Sequence, residues 1–103
     1  MIIYNITCHV EREIETSFID WMKNTHIKEV LATEKFIKAI FTKIIENENQ
    51  TGSSYAVQYY CENKEILQKY FIENAPSLQR KGIEMFGQKM LIFRTELDII
   101  EEF

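Results

Sequence analysis

The sequence predicts an α+β fold in the order βαββαβ, and three observations carry that reading. Residues 2–10 and 55–61 alternate along the chain with the period of two that marks a strand. Two further stretches, 36–45 and 90–97, are rich in β-branched and aromatic residues. The segments that follow the first and third of these four have apolar residues recurring every three or four positions, the spacing of a helix with one buried face.

In the first strand Ile2, Tyr4, Ile6, Cys8 and Val10 share one face, and Ile3, Asn5, Thr7 and His9 the other. Ile14, Phe18, Trp21 and Met22, then Ile27, Val30 and Leu31, make the apolar stripe of the first helical segment. Glu11, Glu13 and Glu15 gather at its start, where the helix dipole favours negative charge. A break is expected near Asn24 or Thr25. Residues 36–45 form the second strand, and the polar stretch 46–54, with Gly52 inside it, a hairpin turn. The return strand 55–61 turns Tyr55, Val57, Tyr59 and Cys61 one way and Ala56, Gln58 and Tyr60 the other. Asn63 can cap a second helix whose buried face is Ile66, Leu67, Tyr70 and Phe71. Asn74 before Ala75 and Pro76 marks an end or a sharp kink, since proline suits a new first turn. Leu78, Met85 and Phe86 continue the helical spacing to Gly87, and the last strand, 90–97, precedes an acidic tail. This order is the ferredoxin-like split βαβ, with helices on one face of a four-stranded antiparallel sheet.

With 103 residues, 46% of them hydrophobic and 13% aromatic, the chain is expected to form a single domain, 1–103, around one core. A formal net charge of −4 opposes nucleic acid phosphates and anionic lipid surfaces, so neither is an expected partner. The apolar runs are far shorter than the roughly 20 residues that span a bilayer, and nothing resembles a secretion signal, so a cytoplasmic setting is expected.

The first and third strands should be central antiparallel neighbours. If Ile6 faces Val57, Tyr4 lies beside Tyr59 under the helices and Asn5 beside Gln58 on the open face, because a one-residue slip would turn the apolar set to solvent. Cys8 and Cys61 then fall at opposite ends, about 20 Å apart at about 3.3 Å per residue, beyond the reach of a disulfide. The open face is too apolar for water alone. Ile3, Ala56, Tyr60 and one row of residues 36–45 look toward it, which points to a homodimer of two sheets stacked about a twofold axis, a dimeric α/β barrel, with Ile3, Asn5, Gln58 and Tyr60 in the interface.

Signals for chemistry are sparse. His26 stands five residues after Trp21 and three before Glu29; as an imidazole near a carboxylate it is the one weak catalytic candidate, and the expected role is instead to cap the short helix that follows. Were it catalytic, its pKa would lie near neutrality. His9 is expected at an exposed strand end. Cys8, His9, His26 and Cys61 lack any close pair of metal-ligand spacing, so neither metal nor cofactor is expected. Asn5 and Gln58, two amides on an apolar face, must find partners in each other, across a dimer axis, or in a ligand. Arg94 reads as half of a surface ion pair. Tyr55, Tyr59 and Tyr60 suggest a stacking platform for RNA, but only Tyr60 points to the open face.

Several stretches resemble a bacterial family of similar length, a domain of unknown function. They are Ile3-Tyr4-Asn5-Ile6-Thr7, Trp21-Met22 with His26-Ile27 and Glu29-Val30-Leu31-Ala32-Thr33, residues 55–61, Ala75-Pro76, Phe86-Gly87 and Phe93-Arg94. The resemblance spans nearly the whole chain. It implies the dimeric α/β-barrel fold shared with antibiotic-biosynthesis-type monooxygenases and brings no activity with it. Lys28 stands where such sequences tend to carry proline, which should loosen the helix start at His26. Two functions remain open. One is a homodimeric structural or interaction module without catalysis. The other is a binder of a small apolar or aromatic molecule, or a cofactor-free monooxygenase- or isomerase-like enzyme, with a pocket between the first helix and the sheet walled by Tyr4, Trp21 and Tyr59 and with His26 at its mouth.

Overall fold

The computed structural model of the protein describes residues 1–45 and 51–103. Four strands, β1 (Ile2–Glu11), β2 (Lys38–Lys43), β3 (Gly52–Cys61) and β4 (Met90–Asp98), form one antiparallel sheet in the order β2-β3-β1-β4. Four helices, α1 (Glu15–Trp21), α2 (Ile27–Ala32), α3 (Lys64–Glu73) and α4 (Ala75–Phe86), pack on one face, as the ferredoxin-like reading requires.

The register follows from the two alternating central strands. Ile6 faces Val57, Tyr4 faces Tyr59 and Asn5 faces Gln58, as expected. Cys8 and Cys61 are free, buried and at opposite ends of that pairing. Under the helices the sheet is largely aromatic. The Tyr4 and Phe36 rings pack on each other and on those of Tyr59 and Tyr70 with ring centres 4.8 to 6.3 Å apart, and Phe18, fully buried, meets Tyr55, Phe41 and Phe86. Burial of rings at this density is the main favourable contribution to a core of this size.

Three boundaries differ from expectation. The second strand is shorter than 36–45, and Phe36, just ahead of it, packs its ring against Tyr59 and Tyr70. The third begins at Gly52 and not at Tyr55. A Cβ at Gly52 would lie 1.9 Å from the Val10 carbonyl oxygen, so only glycine allows β3 to pair with the end of β1 there. The expected turn over 46–54 thus loses its last three residues to the strand, and positions 46–50 lie outside the described residues.

The third difference is at the first helix. No break occurs near Asn24; Met22–His26 form a π turn that joins α1 to α2 with helical backbone throughout. Lys28 does not loosen this junction, since His26 and Ile27 both keep right-handed helical angles. The second helical region behaves as expected. The Asn63 side chain accepts from the Ile66 amide at 2.9 Å, Asn74 separates α3 from α4 with Pro76 in the first turn of α4, and Gly87 ends it at φ +54°.

Candidate functional site

Two features invite function, one on each face of the sheet. On the helical side a small pocket lies between the sheet and helices α1 and α4. Tyr4, Trp21 and Tyr59, the expected walls, and His26, expected at the mouth, all line it. Its volume is about 40 Å³ and it is partly open to solvent. That is space for two or three waters, not the few hundred Å³ of a drug-sized ligand site.

The polar groups of this pocket are unusual. The hydroxyls of Tyr4 and Tyr59, on residues 2% and 0% exposed, and Nδ1 of His26 are buried without a hydrogen-bond partner among the described residues. Such groups normally find partners in the protein or in ordered water. Burial pushes the Tyr4 hydroxyl up, and that of Tyr59 further, so both stay protonated donors at neutral pH.

The capping role expected of His26 is not what the structure holds. Its backbone is helical and its side chain caps nothing; the π turn widens the helix so that residues five apart lie over one another, and the imidazole stacks on Trp21 with ring centres 4.4 Å apart. Burial lowers its pKa to about 4, only partly opposed by the Glu29 carboxylate and reinforced by the positive charge of Lys81. Near-neutral titration is therefore not present. Glu29 is engaged elsewhere, in a 2.8 Å ion pair with Lys81.

Arg94 also differs from expectation. It faces Ile6 on the inner side of β4 and lines the pocket, and among the described residues it joins no ion pair. Gln79 and Gly82 of α4 line it too. A Cβ on Gly82 would come within 3.3 Å of the Trp21 ring, so the glycine lets α4 approach the indole.

The opposite, open face carries Ile3, Asn5, Gln58 and Tyr60, as the alternation predicts. The Asn5 amide donates to Thr95 at 3.3 Å and to Thr7 at 3.4 Å, so its partner is not Gln58. His9, expected to be exposed, is half-buried and joined to Ser54 at 2.9 Å. From β2 the face receives Ile40 flanked by Lys38 and Thr42, less apolar than expected, and Lys38 sits 4.5 Å from the centre of the Tyr60 ring. Its strongest apolar contribution comes from β4: Leu91, Phe93 and Leu97 are 57%, 65% and 43% exposed. These three were missed in the sequence because residues 90–93 are apolar on both alternating rows, which leaves the strand's facing undetermined.

The family model described as Domain of unknown function (DUF4286) matches residues 1–100. No curated protein matches the sequence. Among solved structures, a dimeric ferredoxin-like protein from an uncultured marine organism is similar at TM-score 0.74 and 10% identity, covering 99% of this chain and 97% of its own. An ethyl tert-butyl ether d (EthD) family protein from Bacillus halodurans matches at 0.67 and 15%, covering 92% and 97%. A Deinococcus radiodurans protein provisionally assigned as an antibiotic biosynthesis monooxygenase matches at 0.66 and 12%, covering 100% and 96%. At these identities the likeness is one of fold. Among the described residues no helix is long and apolar enough to cross a membrane.

Proposed function

The chain belongs to the family described as Domain of unknown function (DUF4286), and we propose that it works as a homodimeric structural or interaction module formed by stacking two open sheet faces. The observation that carries this reading is the exposed apolar row of Leu91, Phe93 and Leu97, which Ile40, Ile3 and Tyr60 extend across all four strands. A four-stranded face of roughly 19 by 30 Å projects to about 570 Å², so two of them stacked approach the roughly 1,000 Å² in total that a specific interface needs. Lysines at Lys38 and Lys43 on the edge strand β2 discourage edge-to-edge pairing along that side of the sheet. The ferredoxin-like neighbour from a marine organism is itself described as dimeric, which supports the same use of the fold. The proposed setting is the cytoplasm, where two buried free thiols stay reduced, and nucleic acid is not a proposed partner of a chain with charge −4.

Mixed samples of isotope-labelled and unlabelled protein should give intermolecular NOEs at the methyl groups of Ile40, Leu91 and Leu97. Intermolecular NOEs confined to the helical layer would contradict the stacked-sheet arrangement.

A second reading, a small-molecule binder, is favoured by three unpartnered buried polar atoms carried by residues that line one pocket. In it Tyr4, Trp21, His26 and Tyr59 form the walls. An oxygenase- or isomerase-like reaction, with His26 as its base, finds less support, because a histidine with a pKa of about 4 is a weak base at neutral pH.

A further inference from the structure

We propose that the pocket between α1, α4 and the sheet takes the carboxylate end of a short apolar acid, with the Tyr4 and Tyr59 hydroxyls as donors and Arg94 as the balancing cation. The inference rests on the small-molecule reading above and adds the chemical class of the ligand.

Three observations carry it. First, the buried end of the pocket is rich in donors that have nothing to donate to: the two tyrosine hydroxyls are almost fully buried and unpartnered. Second, the pocket's charge has one sign. Arg94 lines it, no Asp or Glu does, and Arg94 is in no ion pair among the described residues. Glu96, the next inward-facing residue of β4, is felt at the Tyr4 hydroxyl and Glu29 at His26, and both carboxylates lie outside the lining. The charge of Arg94 is felt at the hydroxyls of Tyr4 and Tyr70 and at the Cys8 thiol, whose pKa it draws down against the effect of burial. Arg94 and Gln79 stand close enough to the Tyr4 hydroxyl to draw its pKa down against burial, and neither takes its proton, so the hydroxyl remains a donor without an acceptor.

Third, size selects the head group. A volume of about 40 Å³ admits a flat head of three heavy atoms in place of two or three waters, whereas a tetrahedral phosphate is larger and carries more charge than one arginine balances. The rest of the wall, Trp21, Leu78 and Met90, is apolar and suits a short hydrocarbon tail.

Trp21 is the chain's one tryptophan and lines the pocket, so its fluorescence reports occupancy directly. The intact protein is titrated at pH 7 with sodium propionate, with the isosteric neutral propionamide, and with sodium chloride at matched ionic strength. Propionate should give a saturable change, propionamide a change at least about tenfold weaker, and chloride none, since a hydrogen-bonded charge contributes that much or more. Arg94→Gln, at an exposed position, should cost about tenfold in propionate affinity with the fold intact. Tyr59→Phe should weaken propionate binding several-fold while raising the thermal midpoint by a few degrees, because it removes a buried hydroxyl that is unsatisfied without ligand.

Equal responses to propionate and propionamide, or an Arg94→Gln protein that binds propionate as the wild type does, would overturn the carboxylate assignment while leaving a pocket that binds small molecules. A response to chloride equal to that for propionate would overturn the assignment as an ionic-strength effect. No saturable response to either organic compound would overturn both the assignment and the small-molecule reading.

Discussion

Lowering the pH from 7.5 to 4 should cost the wild-type protein about 2 kcal/mol more of unfolding free energy than it costs His26→Gln. The His26 ring is stacked on Trp21, its Nδ1 is buried without a partner, and burial lowers its pKa from 6.5 to about 4. The unfolded chain therefore binds a proton as pH falls through 6.5 that the folded chain refuses until about 4. Stability contributed by the neutral ring is fully present above 6.5 and lost on acidification through that window. The whole shift would be worth about 3 kcal/mol, and solvent at the ring's exposed edge reduces it to about 2. Glutamine has no such proton, so the difference between the two proteins isolates the histidine from the carboxylates that titrate in both. Denaturant unfolding at a series of pH values measures it, and parallel pH profiles for the two proteins would show that His26 is not held neutral by burial.

Tyr60→Asp should convert the proposed dimer into a folded monomer, with a dissociation constant raised at least about 100-fold. Tyr60 lies on central strand β3 and faces outward, opposite Ile3 and Lys38. In a stacked-sheet dimer its substitution places an unpaired carboxylate from each subunit between two desolvated sheets. The monomer's core is untouched, because that core lies on the other side of the sheet. Ile72→Asp is the matched control: Ile72 is 78% exposed on α3, in the helical layer, and its substitution should leave the association unchanged. Size-exclusion chromatography across a dilution series distinguishes the two variants.

The sheet was legible in the sequence because its central strands obey one constraint twice. Tyr4, Ile6 and Cys8 on β1 and Tyr55, Val57 and Tyr59 on β3 must meet under the helices, and a one-residue slip would turn one of these sets to the open face. The expectation that Tyr4, Tyr59 and Trp21 lie together between helix and sheet came from that register and from the helical spacing of Trp21. Arg94 did not, since β4 is an edge strand whose apolar residues fall on both faces and whose facing is set by pairing with β1. His26 lines the pocket but does not cap the helix, the role its sequence position suggests. A straight α-helix sets residues five apart about 140° from each other, so the spacing from Trp21 excluded stacking unless the helix widened, and the π turn at Met22–His26 is that widening. Gly52 was read as a turn residue; its reason is the Val10 carbonyl that leaves no room for a Cβ.

The mass in solution tests the central claim most directly. Sedimentation equilibrium at micromolar concentration should return twice the 12.3 kDa of the chain, and the Tyr60→Asp protein the single value. A wild-type protein that sediments as 12.3 kDa at that concentration would contradict the pairing of open sheet faces.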